Sequence, residues 1–173
     1  MAPCFREIQR FRQWWLRAAL ILPGLPMLYG GYQQFILGRP WGSRPSPNAV
    51  LALLIVVYVL FVGWFLSLKL VTEVRDRELY VKFVRLFGSE ERIPVAQIRR
   101  AAAVTYHPAR DYRGWGVRMG RNGMAYNVSG NRGVELELMD DRRLLIGSQR
   151  AEELARAIEE RRSLCSDKQT ISD

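Results

Sequence analysis

The sequence predicts an α-helical transmembrane hairpin followed by a small α+β domain of about seven antiparallel strands, closed by a C-terminal helix. Three observations carry this expectation. Two apolar stretches of roughly twenty residues stand before Val71, the hydropathy period then shortens to strand alternation, and one amphipathic segment closes the chain. At 173 residues there is room for one ordinary domain beside the hairpin.

The first apolar stretch, residues 18–37, is entered through Trp14, Trp15 and Arg17 and carries Pro23, Gly24, Pro26 and Gly30-Gly31. Prolines inside a span remove backbone donors and kink the helix. No small-x-small cleavage pattern follows the apolar core, so an uncleaved span is expected rather than a signal peptide. The second stretch, residues 49–68, has no charged side chain before Lys69. Residues 1–17 form a basic N-terminal segment, and the hairpin occupies 18–71. Basic residues set the orientation. Arg6, Arg10, Arg12 and Arg17 precede the first stretch, and Lys69, Arg75, Arg77, Lys82 and Arg85 follow the second. The loop between them, Gly38 to Asn48, has only Arg39 and Arg44, so both termini are expected in the cytosol of a multi-pass cell-membrane protein. Trp14, Trp15, Arg17, Trp41 and Lys69 are the expected interface residues, with Tyr32 and Trp64. Gln33-Gln34 reads as a pair near the outer headgroups rather than a polar site within the membrane.

From residue 72 to 162 the pattern is that of a cytosolic β-rich domain. Val74 and the set Leu79, Val81, Phe83 have strand spacing about a turn at Arg75-Asp76-Arg77. Ile93 to Ile98 reads as a turn or corner. Further strands are expected at Arg99–Tyr106, Gly114–Met119, Met124–Val128, Val134–Met139 and Arg143–Ile146, with turns at Arg121-Asn122-Gly123, Ser129-Gly130-Asn131 and Asp140-Asp141. Short turns imply antiparallel neighbours. A helix opens at Ser148 or Gln149. Glu152 and Glu153 in its first turn and Arg161 and Arg162 in its last suit the helix dipole. Residues 163–173 read as a disordered tail.

This outline resembles a pleckstrin-homology-like barrel, in particular the bacterial PH-like domains that follow membrane spans. Arg92-Ile93-Pro94-Val95-Ala96-Gln97-Ile98 is similar to their basic-Ile-Pro-x-x-x-Ile corner. The fuller resemblance is to a family of uncharacterised prokaryotic two-span membrane proteins. It is carried by Phe5–Phe11, Gln33-Gln34 with Gly38, Tyr112–Arg118, Ala125–Gly130 and Leu144–Gln149. Arg113 and Ala151 depart from it where Gly and Pro would be expected. The resemblance implies no activity, because none is assigned to that family.

Chemistry-bearing patterns are sparse. His107 is the only histidine, at a strand end with no nucleophile beside it. Gly114-Trp115-Gly116 lacks the G-x-G-x-x-G spacing and a following helix, so it is no phosphate cradle. Asn127-Val128-Ser129 is a sequon that a cytosolic location voids. Cys4 and Cys165 form neither a disulfide framework nor a metal spacing. No cofactor, metal or enzymatic activity is expected. The net charge of +9 is read chiefly as an orientation signal, and nucleic acid has no motif behind it.

One surface remains: Arg110, Tyr112, Arg113, Trp115 and Arg118, where Arg and aromatic residues meet as at recognition sites. Strand parity places that loop on one rim with the turn at Arg75 and Arg77, away from the bilayer. The expected function is a non-enzymatic membrane-anchored binding module with a protein partner. Anionic-lipid binding is the alternative, and an accessory role in a membrane enzyme or transporter the third.

Overall fold

The computed structural model describes residues 3–85, 90–120 and 123–170, the last five as backbone only. The chain divides into two compact units: Phe11–Ser67, and Met1–Arg10 together with Leu68–Asp173. The helical unit is thus an insertion in the chain of the β-rich unit.

In the helical unit only one helix is long and apolar enough to cross a membrane, α3 (Asn48–Leu66). The expected first span is not a spanning helix. It is broken into α1 (Trp14–Ile21), α2 (Gly24–Gly31) and a π-helical turn, Tyr32–Ile36. The two-span hairpin is corrected accordingly. The physical cause is proline. Pro23 and Pro26 bring no N–H, and the ladder opens between α1 and α2, where Leu25 N–H turns back to the Leu22 carbonyl at 3.2 Å. The freed Leu20 carbonyl accepts a hydrogen bond from the Tyr58 hydroxyl of α3. Gly24 makes the approach possible, because a Cβ there would collide with the Tyr58 ring. Gln34 donates to the Ser46 carbonyl at 2.6 Å and to Asn48 Oδ1 at 2.7 Å, so it ties the π turn to the start of α3. Tyr58→Phe keeps the ring and removes the donor. It is expected to cost about 1–3 kcal/mol, the penalty of an unpaired carbonyl, read as a lower melting temperature by circular dichroism.

Among the described residues the β-rich unit has nine strands in two sheets rather than about seven in a closed barrel. The first sheet is antiparallel, in the order β1 (Phe5–Arg10), β2 (Lys69–Val74), β3 (Glu78–Val84), β4 (Glu90–Pro94). A 3₁₀ turn, Val95–Gln97, leads to β5 (Ile98–Thr105), and α4 (Pro108–Tyr112) connects β5 to β6 (Gly116–Gly120). β7 (Gly123–Asn127), β8 (Arg132–Leu138) and β9 (Arg143–Gly147) complete the second sheet, whose order is β5-β8-β9-β7-β6. β9 lies between β7 and β8 and runs parallel to β7, Met124 opposite Leu144. The Ser129-Gly130-Asn131 turn therefore joins two strands that do not pair. Close packing of backbones explains Gly133, where a Cβ would stand 2.6 Å from the Ile146 carbonyl. Arg121 and Asn122 of the expected hairpin turn lie outside the described residues.

Within the basic N-terminal segment Phe5 to Arg10 form a strand that the sequence did not announce, paired with β2 from Phe5↔Val74 to Arg10↔Lys69. β3 alternates as expected, with Leu79, Val81 and Phe83 buried. α5 (Ala151–Thr170) touches β5 and β8 of one sheet and β1 and β2 of the other, and buries Ala151, Leu154 and Ile158. It continues through much of the expected disordered tail, and residues 171–173 lie outside the described set.

Candidate functional site

A polar seam runs beneath β1. The inner face of that strand carries Phe5, Glu7 and Gln9, two of them polar, and Gln9 is only 3 % exposed. Such side chains need partners when buried. Glu7 receives the Ser148 hydroxyl at 2.5 Å and the Gln149 N–H at 3.0 Å. The Ser148 oxygen in turn accepts the Arg150 N–H at 3.0 Å. The Glu7 charge therefore stands just ahead of the N-terminus of α5, where the helix dipole favours it. Gln9 Nε2 donates to the Gly147 carbonyl at 2.6 Å. From outside, Arg150 donates to the Arg6 carbonyl at 2.7 Å and stacks over the Phe5 ring, 4.6 Å from its centroid. On the β7 side, Asn127 Oδ1 accepts the Gly116 N–H at 2.9 Å, and Gln149 reaches Ser129.

Four of the five stretches that carry the sequence resemblance meet in this seam. Phe5–Phe11 supplies Glu7 and Gln9, Tyr112–Arg118 supplies Gly116, Ala125–Gly130 supplies Asn127 and Ser129, and Leu144–Gln149 supplies Gly147 and Ser148. Sequence reasoning missed Glu7, Gln9, Asn127 and Ser148 as a group. Asn127 is 0 % exposed, so in the folded domain its amide is closed to glycosylation. Beside it lies Tyr106, whose phenol burial pushes up to about 12.

The expected recognition residues are divided between two places. Arg75 and Arg77 flank the β2–β3 turn and line a groove of about 900 Å³ with Arg6, Asp76 and Arg161. Arg75 pairs with Glu73 at 2.8 Å and Glu78 at 3.2 Å, Arg6 with Glu73 at 3.2 Å, and Arg161 with Asp76 at 3.0 Å. Arg77 has no acidic partner among the described residues. Cys165 lines this groove, its Sγ 3.9 Å from the Asp76 carbonyl, and Cys4 Sγ lies 3.2 Å from that of Val74. The second place is the other end of β5. The Val95 N–H holds the Arg77 carbonyl just before β5 starts, whereas Tyr106 just after its end pairs with Asn131. β5 has eight residues, roughly 25 Å of extended chain. The shared rim is corrected for this reason. β4 reverses the chain once more than the parity argument counted.

At that far end Tyr112 is core rather than contact surface. It is 4 % exposed, packs edge-on to Tyr106 at 6.0 Å between centroids, and burial raises its pKa. Trp115 is half-buried, while Arg110, Arg113 and Arg118 are exposed. Arg110 pairs with Asp111 at 3.1 Å and Arg118 donates to the Trp115 carbonyl at 3.1 Å. His107 is exposed, and its backbone N–H donates to Asp111 Oδ2 at 2.8 Å, the chief cause of the lowered Asp111 pKa. Arg113 ends α4 with φ at +58°, in the left-handed region that favours glycine. Arg113→Gly is therefore expected to stabilise the protein by about 1 kcal/mol, measured as a higher urea midpoint. The second departure, Ala151, is the first residue of α5, where proline fits because the donor it lacks has no helical partner.

Of the expected interface residues, Trp14, Trp15 and Arg17 are exposed on α1, Trp41 packs over Gly30, and Lys69 opens β2. Elsewhere Lys82 and then Arg92 hold Glu90 down to about 2, so their support of the folded state is present above the usual carboxylate range and fades as pH falls toward that value. Among the described residues no three His, Cys, Asp or Glu side chains gather to hold a metal.

These features define a class: a two-sheet α+β unit, sealed by a buried polar seam, with an apolar helical unit inserted between its first two strands. The chain belongs to a family of unknown function (DUF6141), whose match covers residues 2–163 and so includes β1, the inserted helices and most of α5. No curated protein matches the chain.

Proposed function

We propose that the chain is a membrane-anchored, non-catalytic binding module, held in a bilayer by α3, with the β-rich unit folded on the cytosolic side. The observation that carries this reading is α3 itself. It has 19 residues, none charged, and Leu51 is its only buried side chain. A helix of that length measures about 28 Å, close to the ~30 Å hydrocarbon core. The pairing of Arg10 with Lys69 supports the arrangement, because both connections to the helical unit then leave from neighbouring strand ends. Arg10, Arg12, Arg17 and Lys69 border those connections and have no acidic partner among the described residues, which suits the cytosolic side. The recognition surface in this reading is the exposed set Arg110, Arg113 and Arg118, with Met119 at 78 % exposure beside them. A protein partner is the first reading. The unpaired basic residues at the connections favour anionic lipid as the second.

Thiol labelling tests the anchoring. Cys4 and Cys165 both belong to the β-rich unit. In intact cells an impermeant maleimide should leave them unmodified and label them only after permeabilisation. Labelling of either cysteine in intact cells would refute the reading. Binding is tested by in-membrane cross-linking of the wild type against Arg110→Ala/Arg113→Ala/Arg118→Ala, and an unchanged set of adducts sinks the surface. Flotation with phosphatidylglycerol vesicles at low salt, against neutral vesicles, separates lipid from protein.

A further inference from the structure

The outer face of the first sheet is divided by charge. Strand register places Arg6, Glu73, Tyr80 and Arg92 in one row, Ile8, Val71, Lys82 and Glu90 in the next, and Arg10, Lys69 and Val84 in the last. In the first two rows both acids are taken, Glu73 by Arg6 at 3.2 Å, and Glu90 by Lys82 at 2.8 Å and Arg92 at 2.6 Å. The last row has two bases and no acid. Arg10 and Lys69 stand directly opposite each other, and neither has an acidic partner among the described residues. Like charges so placed weaken a strand pair, and an anion over them removes the penalty. Ile8 in the adjoining row is 48 % exposed, with Val71 and Val84 half-buried on the same face. Lys69 follows the last residue of α3 by three positions, so its Cα lies within about 11 Å of that residue whatever the path of the chain.

We propose that Arg10 and Lys69, with Ile8 beside them, form a docking surface for the headgroups of anionic phospholipids. This rests on the reading that α3 spans the bilayer. A span that ends at Leu66 delivers Lys69 to the headgroup layer, about 5–8 Å deep, and the lysine stem covers what the backbone leaves. The ligand class follows from the side chains. Two opposed cations match phosphates packed side by side, and an exposed isoleucine next to them suits the boundary between headgroup and acyl chain. A protein partner at this row would have to displace the lipids that surround the end of the span. The surface is separate from Arg110, Arg113 and Arg118, whatever those residues bind.

The test is acetylation of lysine amines on the full chain in nanodiscs of phosphatidylcholine, with and without phosphatidylglycerol, read residue by residue by mass spectrometry. Lys69 should react about fivefold more slowly in the anionic discs, the equivalent of the about 1 kcal/mol that a basic side chain gains near an anionic surface. Lys82, on the same face but paired with Glu90, should react at one rate in both. Arg10→Gln should reduce the protection of Lys69. Equal Lys69 rates in the two discs, equal slowing of Lys82, or full protection of Lys69 in Arg10→Gln would overturn the proposal and leave the anchor in place. A chain that enters neither disc would overturn the anchor and the proposal with it.

Discussion

Glu7→Ala is expected to lower the stability of the β-rich unit by about 3 kcal/mol, because two hydrogen bonds to a charged group are worth about 1.5–3 kcal/mol each before relaxation. The substitution removes the acceptor for both the Ser148 hydroxyl and the Gln149 N–H. The Ser148 hydroxyl has no easy route to solvent, since Ser148 is 1 % exposed. The negative charge ahead of α5 is lost as well, and with it a favourable helix-dipole interaction. Glu7→Gln should cost less, because it keeps the shape and one acceptor oxygen. Hydrogen–deuterium exchange on the full chain reads the effect where it arises. In Glu7→Ala the amides of β1 and of the first turns of α5 should exchange faster together, because β1 is fastened to the α5 end by Glu7, Gln9 and Arg150. Unchanged protection of both elements would show that the seam does not hold the strand. Leu154→Ala gives the comparison for the apolar core. That side chain is 0 % exposed, and its loss should cost about 2–5 kcal/mol while loosening α5 against both sheets.

Much of the β-rich unit was legible because its signals are local. The alternation in Leu79, Val81 and Phe83, the turns about Asp76 and Asp141, and the stripe of Ala151, Leu154 and Ile158 each depend on a few neighbouring residues. β1 was hidden because its buried face is Phe5, Glu7 and Gln9, which reads as polar until Ser148 and Gly147 are known to lie opposite. β4 was hidden because Glu90-Glu91-Arg92 puts charge at three successive positions, where cross-strand pairing with Lys82 at 2.8 Å rather than alternation holds the strand. Missing β4 cost the parity of every later strand, and so the location of Arg75 and Arg77 relative to Arg110. The parallel β7–β9 pair was beyond reach for a related reason. Nothing local to Ser129-Gly130-Asn131 says that a later strand will insert between its flanks. Tyr112 was misread as contact surface because an aromatic in an Arg-rich loop looks the same whether it packs on Tyr106 or faces a partner. Arg113 stands where the resemblance implies glycine, and its left-handed backbone is a conformation that favours one.

Placing arginine at Val57 and Leu60, near the middle of α3, distinguishes a bilayer from water by the sign of the outcome. The two side chains are 53 % and 67 % exposed, so arginine at either position has room, and neither change opens a core cavity. If α3 lies in hydrocarbon, each arginine near the helix centre costs about 2.5–3.5 kcal/mol of insertion free energy. The double variant Val57→Arg/Leu60→Arg should then leave the membrane fraction or fail to accumulate. If α3 instead met water, its exposed Leu53, Val56, Val57 and Leu60 would form a continuous apolar surface of the kind that drives aggregation. The same two charges would then raise the yield of monodisperse protein made without detergent. Leu51→Ala is the internal control. It trims the one buried side chain of the helix, so it should weaken packing within the helical unit while leaving membrane partition unchanged. A double variant that remains in the membrane after carbonate extraction would remove α3 as the anchor. Loss of the double variant with retention of Leu51→Ala would tie the anchor to the exposed face of α3 rather than to the fold of the unit that carries it.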